Sequence, residues 1–461
     1  MVKPTMQTSG SFIPIITLLY NFIYIFGNIS VVWLMWLSGR STRYQSIRAT
    51  FRVISNINIF YTKFLQALAG NIGGFPDDVI NCLSEFSETV PYDTDDIDDT
   101  FRQSITNLDS VSRSNNPHIP TIDIKSISES PVRMGTVSLV YDAQMTDGTH
   151  IAIKVLRKGI YKKIVSAIDH FDVIFNIISC IPYIRDLNTQ SIYYENREIM
   201  FHQLDFNIEL NNIIKMYDLN AGSDLFCIPT TFPEYTNMNS NIIVMKWIDG
   251  MTLKHVDESD KFDYTNILVQ FGLKSIIIDG MYHGDMHSGN IRFSETLDGR
   301  KSIGLLDFGI VDTIDPPIHR IVIDFFTTLL DGDVDGVTNI ICKRAILFTR
   351  SNLPIRNDIK LYREVRAIIS ETISSNNIIG INELSDINRI LLKYDGRLRP
   401  DFCKINISLA SNFSVLNYLL NGENLLDCIK SNMDILMNGD NLDEVGIDDN
   451  AIIDIASSLF N

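Results

Sequence analysis

Basic residues are in short supply. The chain has 39 Lys and Arg against 56 Asp and Glu, a formal net charge of −17 over 461 residues. That balance argues against a nucleic-acid binder, which normally shows a basic face. Cysteine is sparse as well. The six (Cys82, Cys180, Cys227, Cys342, Cys403 and Cys428) are scattered, with no C-x-x-C pair. They give neither a disulfide framework nor a thiolate metal site, and the usage fits a reducing compartment. No internal repeat is visible. What is present is ordinary for a globular protein: 45% hydrophobic and 21% charged residues, which excludes a disordered chain. The length suffices for two or three domains and a sizeable core.

One long apolar run stands out near the N-terminus. Phe12 to Leu37 is 26 residues without a charge. As a helix it would be ~39 Å long, against a hydrocarbon core of ~30 Å. Trp33 and Trp36 sit near its end, and Arg40, Arg43, Arg48 and Arg52 follow, whereas only Lys3 precedes. This asymmetry predicts a single-pass N-terminal anchor with the rest of the protein on the cytosolic side. A cleavable signal peptide fits less well, because the run is too long and no small-residue cleavage site closes it. A buried or interfacial helix is the alternative, since Pro14, Asn21, Gly27 and Asn28 interrupt the run.

Residues 46–90 read as helical, followed by linker-like stretches at Tyr92–Asp99 and Ser110–Pro120. Val137 to Ala143 alternates like a strand, Asp147-Gly148 signals a hairpin turn, and Ile151 to Val155 reads as a second strand. A helix-rich insert covers residues 160–215. Two more strands are expected at Cys227–Phe232 and Ile242–Ile248, separated by a polar turn at Thr236–Asn241. Beyond residue 263 the pattern is helical apart from the motif region, and beyond 330 it carries no readable motif.

The chemistry-bearing stretch is His283-Gly284-Asp285-Met286-His287-Ser288-Gly289-Asn290, with Asp307-Phe308-Gly309 opening 17 residues after Asn290. An aspartate, an asparagine five residues on, and a second aspartate in a D-F-G turn is the order that phosphoryl transfer uses. The first orients an attacking hydroxyl or water; the other two hold magnesium against nucleotide phosphates. The apolar run Ile303 to Leu306 feeds Asp307 as a strand. Asn290 and Asp307 are hard oxygen ligands, suited to Mg²⁺. His283 reads as a loop brace. His283, Asp285 and His287 at alternate positions could instead ligate zinc, but no further ligand stands at matching spacing. Lys154 lies inside an apolar strand, where an ammonium is costly unless it meets negative charge. It meets either nucleotide phosphates and a helix glutamate or, snorkelling from a strand edge, water. The candidate glutamates are Glu195, Glu198 and Glu209, among which spacing alone does not choose.

At these residues the chain resembles the ABC1 (UbiB, AarF-domain) family of atypical kinases, from about residue 55 to about 315. Lys63-Phe64-Leu65-Gln66 is similar to the family's K-x-G-Q signature, and Pro131 to Ala143 to its Ala-rich nucleotide loop. Ile151 to Ile160 resembles V-A-V-K-V-x-R-P-G-I, Leu204 to Asn211 the helix with the glutamate partner, and Met245 to Gly250 the M-E-x-I-D-G hinge. His283 to Asn290 resembles H-x-D-x-H-P-G-N, which taken alone would equally suit aminoglycoside or choline kinases. The resemblance implies a two-lobed, α+β protein-kinase-like fold with an N-terminal helical extension. The implied divisions are 1–45 hydrophobic segment, 46–125 extension and linker, 126–250 N-lobe and 251–461 C-lobe. It selects Glu209 as the partner of Lys154 and Asp285 as the catalytic aspartate. Nucleotide contacts are implied at Lys154, Arg133, Gly135, Thr136, Val137, Met245 and Trp247, with ATP or ADP and Mg²⁺ as cofactors. It further implies ATPase or atypical kinase activity near membranes, in isoprenoid-lipid metabolism such as ubiquinone synthesis; the acceptor stays undefined. Three departures stand out. Leu65 replaces the glycine of K-x-G-Q, Gln203 stands where the family has an acid meeting the signature lysine, and Arg133-Met134-Gly135-Thr136 replaces a run of alanines. The catalytic positions are all filled, against a pseudokinase.

Overall fold

The structure, a computed structural model, describes residues 13–55, 94–115, 123–178, 197–296, 299–348, 359–375, 379, 381–394, 396–399, 402, 412 and 415–438. The chain divides into two compact units. The first comprises residues 1–69, 75–96 and 157–198, the second residues 70–74, 97–156 and 199–461.

The chain enters through α1 (Ile13–Leu37) and α2 (Arg43–Ser55), which pack on each other in the first unit. Helix α1 runs through the residues that look like interruptions in the sequence. Pro14 falls in its first turn, where a missing N–H costs nothing, and Asn28 turns its side-chain amide onto the Tyr24 carbonyl at 2.8 Å. The left-handed Gly39, at φ 73°, closes the helix. Ile23, Phe26, Leu34 and Leu37 are exposed along it. Among the described residues no helix is long and apolar enough to cross a membrane.

In the second unit α3 (Thr100–Asn115) precedes β1 (Ile124–Ile127), β2 (Arg133–Met134), β3 (Ser138–Met145) and β4 (His150–Leu156). β3 and β4 form the hairpin signalled by Asp147-Gly148: Gly148 takes φ 90°, and Asp147 accepts the Thr149 N–H at 2.8 Å. Helix α4 (Ile160–Ile178) returns to the first unit and lies against α1. There, buried Asp96 accepts from Arg157 at 2.9 Å and Lys163 at 2.7 Å.

Back in the second unit, α5 (Phe206–Asn220), β5 (Phe226–Cys227), α6 (Pro233–Met238) and β6 (Ile242–Lys246) follow. The strand expected over Cys227–Phe232 is met only at Cys227, the end of two-residue β5, and the first half of the polar turn expected at Thr236–Asn241 is the end of helix α6. Pro233 pre-sets the φ of its first residue. The main sheet has the order β1-β3-β4-β6, antiparallel throughout, with β2 on β3. Its central strand β4 is buried on both faces from Ile151 to Val155, which explains its unbroken apolar run.

Helix α7 (Lys261–Leu273) continues into a π-helical turn at Lys274–Ile278, and short strands β7 (Met281–His283), β8 (Ile291–Glu295), β9 (Lys301–Leu305) and β10 (Val311–Thr313) carry the motif region. β7 pairs with β10, and β8 with β9. Then come α8 (Pro316–Leu330), α9 (Val334–Lys343), β11 (Ile346–Phe348), α10 (Ile359–Ser374), α11 (Ile381–Lys393), β12 (Gly396–Leu398) and α12 (Leu425–Asn438). The region read as purely helical thus also holds the antiparallel pair β11–β12. One hydrophobic core joins the sheet residues Ala152 and Met245 to Phe206 of α5, Phe308, and the helices as far as Leu436. The motif strands are pinned between the sheet and the helical layer, and that fixes the loops they end in.

Candidate active site

Lys154 stands in mid-β4, opposite Val140 of β3 and Ile243 of β6. It is 3% exposed. Water does not reach its ammonium, so charge must: Nζ donates to Glu209 Oε1 at 2.5 Å and to Asp307 Oδ2 at 2.7 Å. The Phe206 ring lies 5.8 Å away. Burial pulls the Lys154 ammonium down, but the Asp307 and Glu209 carboxylates outweigh it and hold the group above its ordinary value. Burial pushes Glu209 up, with Lys154 opposing and Asp307 adding to the rise. The two shifts favour opposite partners in a neutralised pair. The Lys154 ammonium faces two carboxylates and stays charged, while the cost of the excess negative charge falls on the drier acid, Glu209, whose proton affinity rises.

Glu209 occupies the first turn of α5. Asp205 caps that helix, its carboxylate accepting the Asn207 N–H at 3.0 Å, and a first-turn acid complements the helix dipole. Glu209 Oε1 also accepts the Phe308 N–H at 3.3 Å. Three residues on, Asn212 Nδ2 donates to the Phe308 carbonyl at 3.0 Å. One helix face thus grips the D-F-G turn by both its N–H and C=O groups. Asn212 escapes the motif search, although its i+3 spacing from Glu209 puts both on one face. Phe308 is fully buried, and Gly309 donates to Asp307 Oδ1 at 3.0 Å. Together these fix the carboxylate's direction.

The catalytic-loop segment leaves β7 at His283. Its Nε2 lies 2.6 Å from the Asp307 carbonyl, and its Nδ1 accepts the Asp285 N–H at 3.2 Å. A carbonyl only accepts, so Nε2 carries the proton and the ring is neutral. Burial lowers the affinity of His283 for a second proton, against the raising effect of the Asp307 carbonyl and the Asp285 and Asp307 charges. The ring ties the two loops together. Gly284 is required where it stands, since a Cβ there would meet Ile310 at 2.5 Å. Downstream, His287 Nδ1 accepts the Gly289 N–H at 3.0 Å, and Asn290 Nδ2 donates to the Asp285 carbonyl at 2.9 Å. Leu306 N–H donates to the Asn290 carbonyl at 3.0 Å, which sets Asn290 beside the strand end that launches Asp307.

The donor set fits magnesium. The Nδ2 group of Asn290 is used within the loop, which turns the amide so that Oδ1 is left for a ligand, and the Asp307 side chain is 30% exposed. One amide oxygen and one carboxylate, completed by phosphate and water, is the sparse protein contribution that Mg²⁺ takes at nucleotide sites. Among the described residues no group of three or more His, Cys, Asp and Glu is placed to hold a metal. His287 Nε2 stands 3.9 Å from Asp285 Oδ1.

The remaining sequence-named residues fall as follows. Arg133 lies in β2, and Gly135 N–H closes a tight turn on the Ser138 carbonyl at 2.9 Å, with Thr136 half-buried and Val137 buried within it. Met245 is buried beside Ala152 across β4–β6; Trp247 stacks on His150, ring centroids 4.6 Å apart. Gly250, at φ 144°, lets the chain leave β6 where a Cβ would stand 2.9 Å from the Phe293 carbonyl. Gln203 is buried against the D-F-G glycine, its Cγ 3.5 Å from where a Gly309 Cβ would sit. Glu198 is exposed. Lys63, Gln66 and Glu195 lie outside the described residues.

A family model for the ABC1 atypical kinase-like domain matches residues 102–341, slightly more than half of the chain. Among curated proteins, the chain is 24% identical over 299 residues to the uncharacterized protein slr1919 of Synechocystis, covering 62% of this chain and 50% of that protein. It is 23% identical over 282 residues to the probable serine/threonine-protein kinase abkB of Dictyostelium discoideum, covering 59% and 40%. To the probable protein kinase UbiB of Sodalis glossinidius it is 25% identical over 223 residues, covering 46% and 40%. The chain therefore spans half or less of these relatives' own length. Among solved structures, Rv3197 with erythromycin from Mycobacterium tuberculosis aligns at 17% identity and a TM-score of 0.45, covering 81% of this chain and 90% of that one. The Rio2 kinase–ADP/Mg²⁺–phosphoaspartate complex from Chaetomium thermophilum aligns at 11% identity and a TM-score of 0.31, covering 74% and 97%.

Proposed function

The chain belongs to the ABC1 atypical kinase-like family and has its α+β, kinase-like fold, and from that premise we propose that it binds a magnesium-nucleotide and acts as an atypical kinase or ATPase at a membrane. The observation that carries the reading is Lys154 Nζ held between Glu209 and Asp307 at 2.5 and 2.7 Å. A buried lysine with two carboxylates is poised to share its charge with phosphates once a cation takes over Asp307. Magnesium, when bound, supplies charge neutralisation between the phosphate oxygens.

Each remaining role falls to a named side chain. Asn290 Oδ1 and the Asp307 carboxylate are the ligands offered to that cation. Asp285, half-buried and on the same loop as Asn290, orients the hydroxyl or water that attacks the terminal phosphate. His283 stays neutral and keeps the two loops in register. Glu209 holds Lys154 and the Phe308 amide at once, so a shift of α5 would move both the phosphate anchor and the metal ligand.

The membrane setting is proposed from the apolar α1, with Trp33 and Trp36 near its end and Arg40, Arg43, Arg48 and Arg52 following it. A link to isoprenoid-lipid metabolism of the ubiquinone type rests on the family resemblance alone. The test is magnesium-dependent ATP hydrolysis by the full chain. Asp285→Asn should cost about 10²- to 10⁴-fold in rate while nucleotide affinity stays near wild type. A rate untouched by Asp285→Asn sinks the catalytic assignment, whereas nucleotide binding with no detectable turnover, insensitive to Asp285→Asn, leaves a nucleotide-binding scaffold.

A further inference from the structure

Strand β2, just before the Gly135 turn, carries a cation that meets no counter-ion among the described residues. Arg133 is half-buried, and its one hydrogen bond among the described residues runs from Nη1 to the Gly289 carbonyl at 3.3 Å. Among the described residues no carboxylate pairs with it. Burial holds its basicity below the ordinary value. A guanidinium has five N–H donors in a rigid fork suited to phosphate or carboxylate, and a single neutral carbonyl is a poor match for it.

Its placement says which anion is missing. Arg133 stands opposite Val140, and Val140 stands opposite Lys154. Directly opposed residues in antiparallel strands project to the same face. Arg133 and Lys154 therefore lie on one face of the sheet, two strand spacings or roughly 10 Å apart. One cation meets Asp307; the other meets Gly289, next to Asn290 and in the loop of Asp285. The two mark the ends of a track about as long as a chain of phosphates.

We propose that Arg133 is the residue that reads the terminal phosphate of a nucleoside triphosphate, exchanging the Gly289 carbonyl for that phosphate and so making the site prefer the triphosphate over the diphosphate. The assignment rests on the nucleotide-binding reading above and adds the specificity determinant to it. Lys154 holds the inner phosphates whichever nucleotide is bound. Arg133 meets only the group beside Asp285, which a diphosphate lacks. The contact with Gly289 meanwhile ties the end of β2 to the catalytic segment until a triphosphate arrives.

Equilibrium titration of the full chain with ATP and with ADP, in Mg²⁺, tests this. Arg133→Ala should weaken ATP about tenfold or more and move ADP less than about threefold, the loss of one charge-assisted fork. Arg133→Lys, which keeps the charge without the fork, should fall between. Arg133→Gln keeps an N–H donor for the Gly289 carbonyl and should behave like the alanine variant; it also serves as the reporter should Arg133→Ala fail to fold, judged by melting without nucleotide. Equal losses for ATP and ADP, or an unchanged ratio, overturn the inference alone. A wild-type chain that binds neither nucleotide overturns it together with the nucleotide-binding reading.

Discussion

Replacing Lys154 with methionine removes the cation that Glu209 and Asp307 share, and the structure sets the size of the effect. Glu209 is 2% exposed and would lose a partner at 2.5 Å; Asp307, with a side chain 30% exposed, can turn to water. The loss therefore concentrates on Glu209. Breaking a buried pair by removing one member costs about 3–5 kcal/mol, because a desolvated charge is left behind. We expect the lower end at pH 8, since the methionine keeps the aliphatic packing of the lysine stem.

The pH dependence has a definite sign. Burial already raises Glu209 while Lys154 opposes it, so without Lys154 its folded pKa climbs further above the unfolded value. For a carboxylate shifted upward, stability is complete below the unfolded pKa and is lost as pH rises through the folded one. The Lys154→Met deficit should accordingly shrink between pH 8 and pH 5. Adding Glu209→Gln, which keeps an acceptor for the Phe308 N–H, should recover at least about 1 kcal/mol as a coupling energy. The assay is urea denaturation followed by tryptophan fluorescence in a Trp33→Phe, Trp36→Phe background, which leaves Trp247, stacked on His150 at the start of β4, as the reporter. A single variant within about 0.5 kcal/mol of wild type at pH 8, or a double variant whose losses simply add, would refute the reasoning.

Three further outcomes are expected. His283 is held neutral by burial, so its contribution to stability is intact above its unfolded pKa near 6.5 and is lost as pH falls toward the lower folded value. The urea midpoint should drop below pH 6.5, and His283→Gln should flatten that drop; an unchanged slope contradicts the assignment of the brace. Gly250→Ala forces a Cβ to 2.9 Å from the Phe293 carbonyl at φ 144° and should destabilise by about 1–3 kcal/mol in the same titration, against nothing measurable if the turn relaxes. Asn212→Leu strips the donor from the Phe308 carbonyl at 3.0 Å and should cost about 1–3 kcal/mol. It should also raise amide exchange at Phe308 and Gly309, and unaltered exchange there would show that Glu209 alone holds the turn.

How much of this was legible in the sequence depends on the length over which each signal is written. The β3–β4 hairpin was readable because alternation, an Asp-Gly turn and a β-branched run all agree across Ser138 to Leu156. Lys154 stood out as a charge within that run. Glu209 was not separable from Glu195 and Glu198 by spacing, and only the family resemblance selected it; its N-cap Asp205 and the face-sharing Asn212 were signals in reach. The β11–β12 pair was missed because three-residue strands whose partners lie 50 positions apart (Ile346 with Leu398 at 52, Phe348 with Gly396 at 48) leave no periodicity to read. The polar stretch from Thr236 to Asn241 looks like a turn until Tyr235 and Thr236 are seen to be buried in the helix begun at Pro233, a tertiary fact. Pro14 and Asn28 interrupt the apolar run but not the helix, since a first-turn proline and an asparagine bonded to its own helix cost α1 little.

The measurement closest to the central claim is a calorimetric titration of the full chain with ATP, with and without Mg²⁺, for wild type and Asp307→Asn. The account expects binding that tightens about tenfold or more with magnesium in the wild type, and an Asp307→Asn chain that stays folded but loses that magnesium-dependent gain. Equal affinity with and without the cation in both chains would mean that Asn290 and Asp307 hold no metal, and the proposed site would fall.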